Sequence, residues 1–261
     1  MSTTSTIYCM KVRWAWLVLP FFLFSLLPLT AWAQEPVPQN KPYIDLRPLH
    51  FGISVGLNMQ DVEMRNVGPQ IIDMPEVGET EQCVVGDADT WNPGFSVGVL
   101  ADMRLSQHLS LRISPTMHFG AKHLTFRNLR QLDEFDRPVQ ETQDLKNTYI
   151  SVPIDLKFSA QRFNNYRPYM VAGISPMINL ASKDQDFICL KRYDTMIEVG
   201  LGCDFYLPYF KLIPELKFCF GLHDVFDKDH VNSITDGNKQ AYARSISQAQ
   251  SKMIVLTFYF E

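Results

Sequence analysis

Long hydrophobic runs are scarce in this chain of 261 residues. One lies near the start, Trp14 to Leu29, and nothing after it approaches the ~18 continuous apolar residues of a membrane helix. A multi-helix membrane protein is therefore excluded. Charge of one sign is lacking too: the net charge is −4 and the pI near 5.9, which leaves no electrostatic case for nucleic acid. No Gly-x-Ser-x-Gly elbow, P-loop or dinucleotide fingerprint occurs. The histidines, His50, His108, His118, His123, His223 and His230, show no metal-ligand spacing, so neither a metal nor a cofactor is expected. No small-molecule substrate is implied, and the acidic pair Asp133 and Glu134 reads as solvated loop rather than a catalytic dyad. Cysteine is sparse after the first run: Cys83, Cys189, Cys203 and Cys219.

What is present in quantity is Phe (18), Tyr (10) and Pro (16), a bias toward strands and turns. The N-terminus carries an export address. Lys11 and Arg13 precede the apolar run, and Ala31-Trp32-Ala33 has the small-x-small form of a signal peptidase site, so residues 1–33 read as a cleaved signal peptide with Gln34 as the first mature residue. Cys9 precedes the run, which argues against a lipoprotein signal. Residues 34–48 form a Pro-rich periplasmic leader without core potential.

From residue 49 the pattern has period two, the signature of strands. Leu49 to Leu57, Phe95 to Met103, Leu109 to Met117, Ile150 to Phe158, Met170 to Ile178, Ile197 to Phe205, Leu212 to Phe220 and Ile254 to Phe260 each alternate apolar with small or charged residues. The connections alternate in length. Loops of about 59–91, 120–146, 180–192 and 222–251 are long, while Leu105 to His108, Ala160 to Asn165 and Leu207 to Phe210 are short. Long links at one end only, an even strand number and strands of spanning length predict an all-β fold: an eight-stranded antiparallel transmembrane β-barrel over residues 49–261, with short periplasmic turns and long extracellular loops. Outer-membrane lipid is then its first partner. Pro115, Pro153, Pro176 and Pro214 sit badly inside such strands and predict bulges.

By parity the lumen receives Asp102, Arg104, Arg112, Asp155, Lys157, Glu198, Asp204, Glu215 and Lys217. The signs are mixed, and an eight-stranded barrel is just wide enough to be filled by its own side chains. A salt-bridged plug is expected here rather than a proton or solute path. A turn at Pro208-Tyr209 places Glu198 opposite Cys219 and Gly200 opposite Lys217, making Glu198 and Lys217 diagonal neighbours. Cys83 and Cys189 fall in long loops on the same side and are a candidate disulfide pair, a choice the residues leave open.

Several pieces carry a likeness. Lys41-Pro42-Tyr43-Ile44-Asp45, Pro48-Leu49-His50-Phe51-Gly52 and Gly56-Leu57-Asn58 come first, followed by Tyr149 to Phe158, Arg167-Pro168-Tyr169, Val199 to Leu207, Tyr209 to Phe218 and Leu256 to Glu261. Together and in this order they resemble the PorT family of Bacteroidota outer-membrane proteins. The resemblance implies a non-enzymatic accessory of the type IX (Por) secretion and gliding machinery, needed for export of cargo with C-terminal sorting domains, with other components of that system as partners. The other reading is a general small barrel of the OmpA kind, an envelope scaffold or surface adhesin.

Overall fold

A computed structural model describes residues 39–74, 78–90, 92–132, 137–180, 188–227 and 242–261. The expected signal peptide, its expected cleavage residues Ala31, Ala33 and Gln34, and the start of the expected leader lie outside the described residues. After a 3-10 turn at Ile44–Leu46 come β1 (Leu49–Asn66), β2 (Gln70–Met74), β3 (Gly78–Gln82), β4 (Val84–Thr90), β5 (Asn92–Arg104), β6 (Leu109–Ile113) and β7 (Thr116–Leu132). Then follow β8 (Pro138–Ser151), β9 (Ile154–Ser159), β10 (Tyr166–Asn179), β11 (Tyr193–Tyr206), β12 (Lys211–Gly221) and β13 (Ile246–Phe260).

Eight staves close on themselves. β1, β5, the β6–β7 pair, the β8–β9 pair, β10, β11, β12 and β13 each pair antiparallel with the next, and β13 returns to β1. The fold is thus an all-β ring of eight antiparallel strands, with no edge left open at the level of the ring. The hairpin register pairs Glu198 with Cys219 and Gly200 with Lys217, as the sequence predicts.

The expected bulges at the prolines are absent. Two staves are interrupted, at Ser114–Pro115 and at Val152–Pro153, but the register is the same on either side of each break, so no residue is inserted. Pro176 and Pro214 lie within continuous strands. The sheet accommodates them because only the proline N–H is lost. Their carbonyls still accept: Val99 N donates to Pro115 O, Ser114 N to Pro153 O and Val152 N to Pro176 O.

Outward positions form an apolar belt. Phe51 is 68% exposed, Val99 53%, Phe158 59% and Leu201 58%, while the polar residues between them are buried inside. An apolar surface encircling a molecule is a membrane-facing one. From Leu49 to Met59, at about 3.3 Å per residue and a tilt of about 40°, the belt is roughly 25 Å tall, the thickness of an outer-membrane core. An Arg placed at its middle, Val99→Arg, is expected to cost about 2–4 kcal/mol, read as a lowered urea midpoint for the barrel refolded in lipid vesicles. The same change at exposed Leu129, above the belt, should leave the midpoint nearly unmoved.

Two of the long loops predicted from sequence are instead largely strand. β1 runs to Asn66, β7 to Leu132 and β8 begins at Pro138, so most of 59–91 and 120–146 is a raised wall with the hairpin β2–β3 at its side. Where β5 ends at Asn92, β4 takes its place beside β7. Its other edge is met by β1 through a side chain: Asn66 Oδ1 accepts from Gly86 N (2.9 Å) and Asn66 Nδ2 donates to Gly86 O (3.1 Å). Outward residues on the wall are mostly polar or charged, among them Asp61, Arg65, His123 and Asp144, with Leu129 an apolar exception. Glu63 is bonded to Lys252, which holds its carboxyl below the usual carboxylate range.

Inside the wall the pattern inverts. Val62, Val84, Leu124, Phe126, Leu145, Ile246 and Ala249 point inward and pack on Ile188, Leu190, Val225, Phe226, Tyr242 and Ala243 from the two remaining loops. Below the wall the inward positions are mostly polar, with Leu100, Val171, Ile213 and Val255 between them, whereas above the belt the apolar residues of this cluster take the inward side. A rule that sends apolar side chains outward holds only where lipid lies outside, and its reversal is why these stretches read as loops.

Candidate functional site: a charged lumen and a strap at its mouth

Each stave supplies inward residues at every second position, and in the turn-end half of the barrel ten of them carry charge-bearing groups: Asp102, Arg112, Asp155, Lys157, Glu198, Asp204, Lys211, Glu215, Lys217 and Glu261. Arg112 on β6 is the centre, fully buried. Its Nη1 donates to Glu215 Oε2 (2.6 Å) and its Nη2 and Nε to Asp102 Oδ2 (3.1 and 3.3 Å). The guanidinium lies 5.3 Å from the Tyr169 ring and 5.0 Å from that of Tyr259, and both hydroxyls donate to Glu215. Lys217 is bonded to Asp155, and lies 3.0 Å from Glu198 and 3.5 Å from Glu215. On the other side Lys157 reaches both oxygens of Asp204 (2.8 and 2.9 Å) and comes within 3.9 Å of Asp102. Lys211 joins Asp204 (3.3 Å) to Glu261 (2.9 Å).

Eight of the nine residues expected in the lumen thus belong to one connected set: Asp102, Arg112, Asp155, Lys157, Glu198, Asp204, Glu215 and Lys217. Arg104 does not join it. It sits one position below Met103, at the turn end, and donates to the carbonyls of Asp45 and Ser106. Sequence reasoning left out Lys211 and Glu261, which fall at the ends of their strands, and Tyr169 and Tyr259 as members of the network. Parity does reach Lys211, since it shares a face with Glu215 and Lys217.

Removed from water, each of these charges has a partner of opposite sign, the condition under which ionised groups persist in a low-dielectric interior. The arrangement fixes and neutralises charge and fills the barrel cross-section. Higher in the lumen the polar residues are bonded in smaller groups. His118 is hydrogen-bonded to Ser96 Oγ (2.8 Å) and Ser151 Oγ (3.0 Å), and Lys122 donates to Tyr149 (3.1 Å). Among the described residues no His, Cys, Asp and Glu are grouped as a metal site.

The turn end is crossed by the leader. Residues 39–48 are tied down as a strap, contrary to their polar, Pro-rich composition. The Asp45 carboxylate accepts from Tyr206 (2.7 Å) and faces Arg162 (3.4 Å). Arg162 also donates to the carbonyls of Asn40 and Lys41, and its guanidinium lies 3.6 Å from the centre of the Tyr206 ring. Asn40 Nδ2 donates to Tyr206 O (2.9 Å) and Lys41 Nζ to Tyr209 O (2.8 Å). Beside the strap an open recess of about 380 Å³, mouth included, is lined by Asp45, Arg104, Lys157, Arg167, Asp204 and Lys211, among others.

The candidate disulfide is not formed. No disulfide joins Cys83 to Cys189. Their backbones are committed to different segments: Cys83 O accepts from Leu129 N of β7, and Cys189 O from Asp227 N at the foot of the last loop. Cys189 is buried with its sulfur against Leu190 O.

A family model described as an outer membrane protein beta-barrel domain matches residues 32–227, well over half of the chain. Among solved structures, Neisserial surface protein A (NspA) is similar at 10% identity, over 82% of this chain and 98% of that one, with a TM-score of 0.37. Ail, the attachment invasion locus protein of Yersinia pestis, solved alone and with the heparin analogue sucrose octasulfate, is 12% identical over 80% of this chain and 96% of that one, with a TM-score of 0.33. No curated protein matches. Eight closed staves, a lipid-facing belt and the family match lead to one conclusion: this chain is an outer-membrane β-barrel protein and belongs to the outer membrane protein beta-barrel domain family.

Proposed function

We propose that the protein is a non-enzymatic accessory of the type IX (Por) secretion machinery, required for export of cargo with C-terminal sorting domains and acting on other components of that system. The observation that carries this reading is the blocked lumen. Buried ion pairs span the barrel at the height of Arg112, and the strap lies over its periplasmic mouth. A barrel so filled cannot pass a polypeptide, so it must work through its two ends and its wall. The likeness of Lys41 to Asp45, Tyr149 to Phe158 and Tyr209 to Phe218 to the PorT family supplies the machinery, and Lys41 to Asp45 is part of the strap itself.

Deleting the gene in its host is expected to leave sorting-domain cargo in the periplasm while other barrels still assemble, scored by cargo in medium and periplasmic fractions. Unchanged release of cargo would overturn the secretion role. One feature favours a second reading in that event. The raised wall of β1, β4, β7, β8 and β13 presents a folded, charged surface beyond the membrane, suited to a surface scaffold or adhesin of the OmpA kind.

A further inference from the structure

The recess beside the strap has an imbalance of charge. Its acids are all matched: Asp45 faces Arg162, Asp102 faces Arg112 and Lys157, and Asp204 faces Lys157 and Lys211. Two of its cations are not. Arg104 and Arg167 make no ion pair among the described residues and bond to backbone carbonyls of the turns and the strap. Arg104 donates to Ser106 O and Asp45 O, and Arg167 to Ala160 O and Gln107 O. Each of these guanidiniums spends two of five N–H donors this way, and the bonds hold both in place at the rim. Because Nε–H is used in both, what remains is the pair of Nη1/Nη2 ends with spare donors, the side of a guanidinium that takes an oxyanion end-on.

The mouth already receives one peptide carboxylate, since the strap is a peptide whose Asp45 side chain is taken by Tyr206 and Arg162. We propose that the recess at the periplasmic mouth is a binding site for a second peptide carboxylate, the C-terminal chain end of a periplasmic polypeptide, received by Arg104 and Arg167 beside the strap. The recess is too small for a folded domain and opens at the mouth, where a chain end can approach the two guanidiniums. The inference does not rest on the secretion role: it concerns what the mouth binds, whichever machine the barrel serves.

The test uses the mature full-length protein in detergent micelles, labelled with 15N-arginine. An acetylated Gly-Gly-Ser peptide with a free carboxylate, the same peptide with a C-terminal amide, and inorganic phosphate are titrated at constant ionic strength. The expected result is a saturable shift of the Arg104 and Arg167 side-chain resonances with the acid, at least tenfold weaker with the amide. That response should disappear in R104Q and R167Q and survive in part in R104K. Equal responses to acid and amide, or no saturable response, would overturn the site. Phosphate saturating at lower concentration than the acid would overturn the peptide-carboxylate assignment. Should a variant fail to give the heat-modifiable band of a folded barrel, the acid–amide comparison on the unaltered protein decides alone.

Discussion

Replacing Arg112 by Met is expected to cost the folded barrel about 3–5 kcal/mol, the range for breaking a buried charge pair from one side. The methionine fills much of the space, so the loss is electrostatic rather than a cavity. Asp102 keeps Lys157 at 3.9 Å, and Glu215 keeps Lys217 at 3.5 Å, both longer than the bonds they lose. Tyr169 and Tyr259 still donate to Glu215 and soften the effect without supplying charge. The readout is the urea midpoint of reversible unfolding in lipid vesicles, beside a triple variant R112M, D102N, E215Q. The triple variant removes the stranded charges with the guanidinium and should recover more than half of the loss. A triple variant no better than R112M would mean that Arg112 acts through shape, and the charged plug would not be the element that holds the lumen closed.

How much of this was readable beforehand differs by region and for physical reasons. Within the bilayer, outside and inside are different solvents, so parity alone assigns each side chain, and Glu198, Glu215 and Lys217 are placed by counting twos along the strands. The hairpin turn sets a register that needs no tertiary information. Beyond the bilayer that rule loses its basis. Leu124 and Phe126 keep the inward parity of His118 and Lys122 but are apolar, because outside them is water and inside them are the folded ends of two loops. The strap is a different failure. Its composition lacks a core, yet it needs none, because Arg162, Tyr206 and Asn165 on distant turns supply its hydrogen bonds. Lys211 and Glu261 show the cost of trimming strands at their last apolar residue: both lie just past it, where the lumen still demands a counter-charge.

Because the cap at the external end is built from apolar contacts, it should fail separately from the charged plug, and Phe126→Ala is the change that tests this. Phe126 is fully buried, lies against Gly86 of β4, and meets the Tyr242 ring edge-on at 6.0 Å between centroids. Burial in the same cluster pushes the Tyr242 hydroxyl up from its ordinary pKa. Truncation to Ala removes the ring that joins β4, β7 and the last loop, a loss of about 3–5 kcal/mol for a buried Phe. The membrane-spanning ladder does not depend on it: β1–β13, β10–β11 and β12–β13 pair over the belt far below. The expected outcome is therefore local. In intact cells, added protease should cut F126A within 188–192 or 222–227 at concentrations that spare the unaltered protein, while the heat-modifiable mobility of the barrel is kept. Loss of the folded band together with the cap would show the two ends to be one cooperative unit. A cap that opens alone would instead make the external end the low-stability part of the molecule, free to rearrange on a partner while the plugged barrel stays fixed in the membrane.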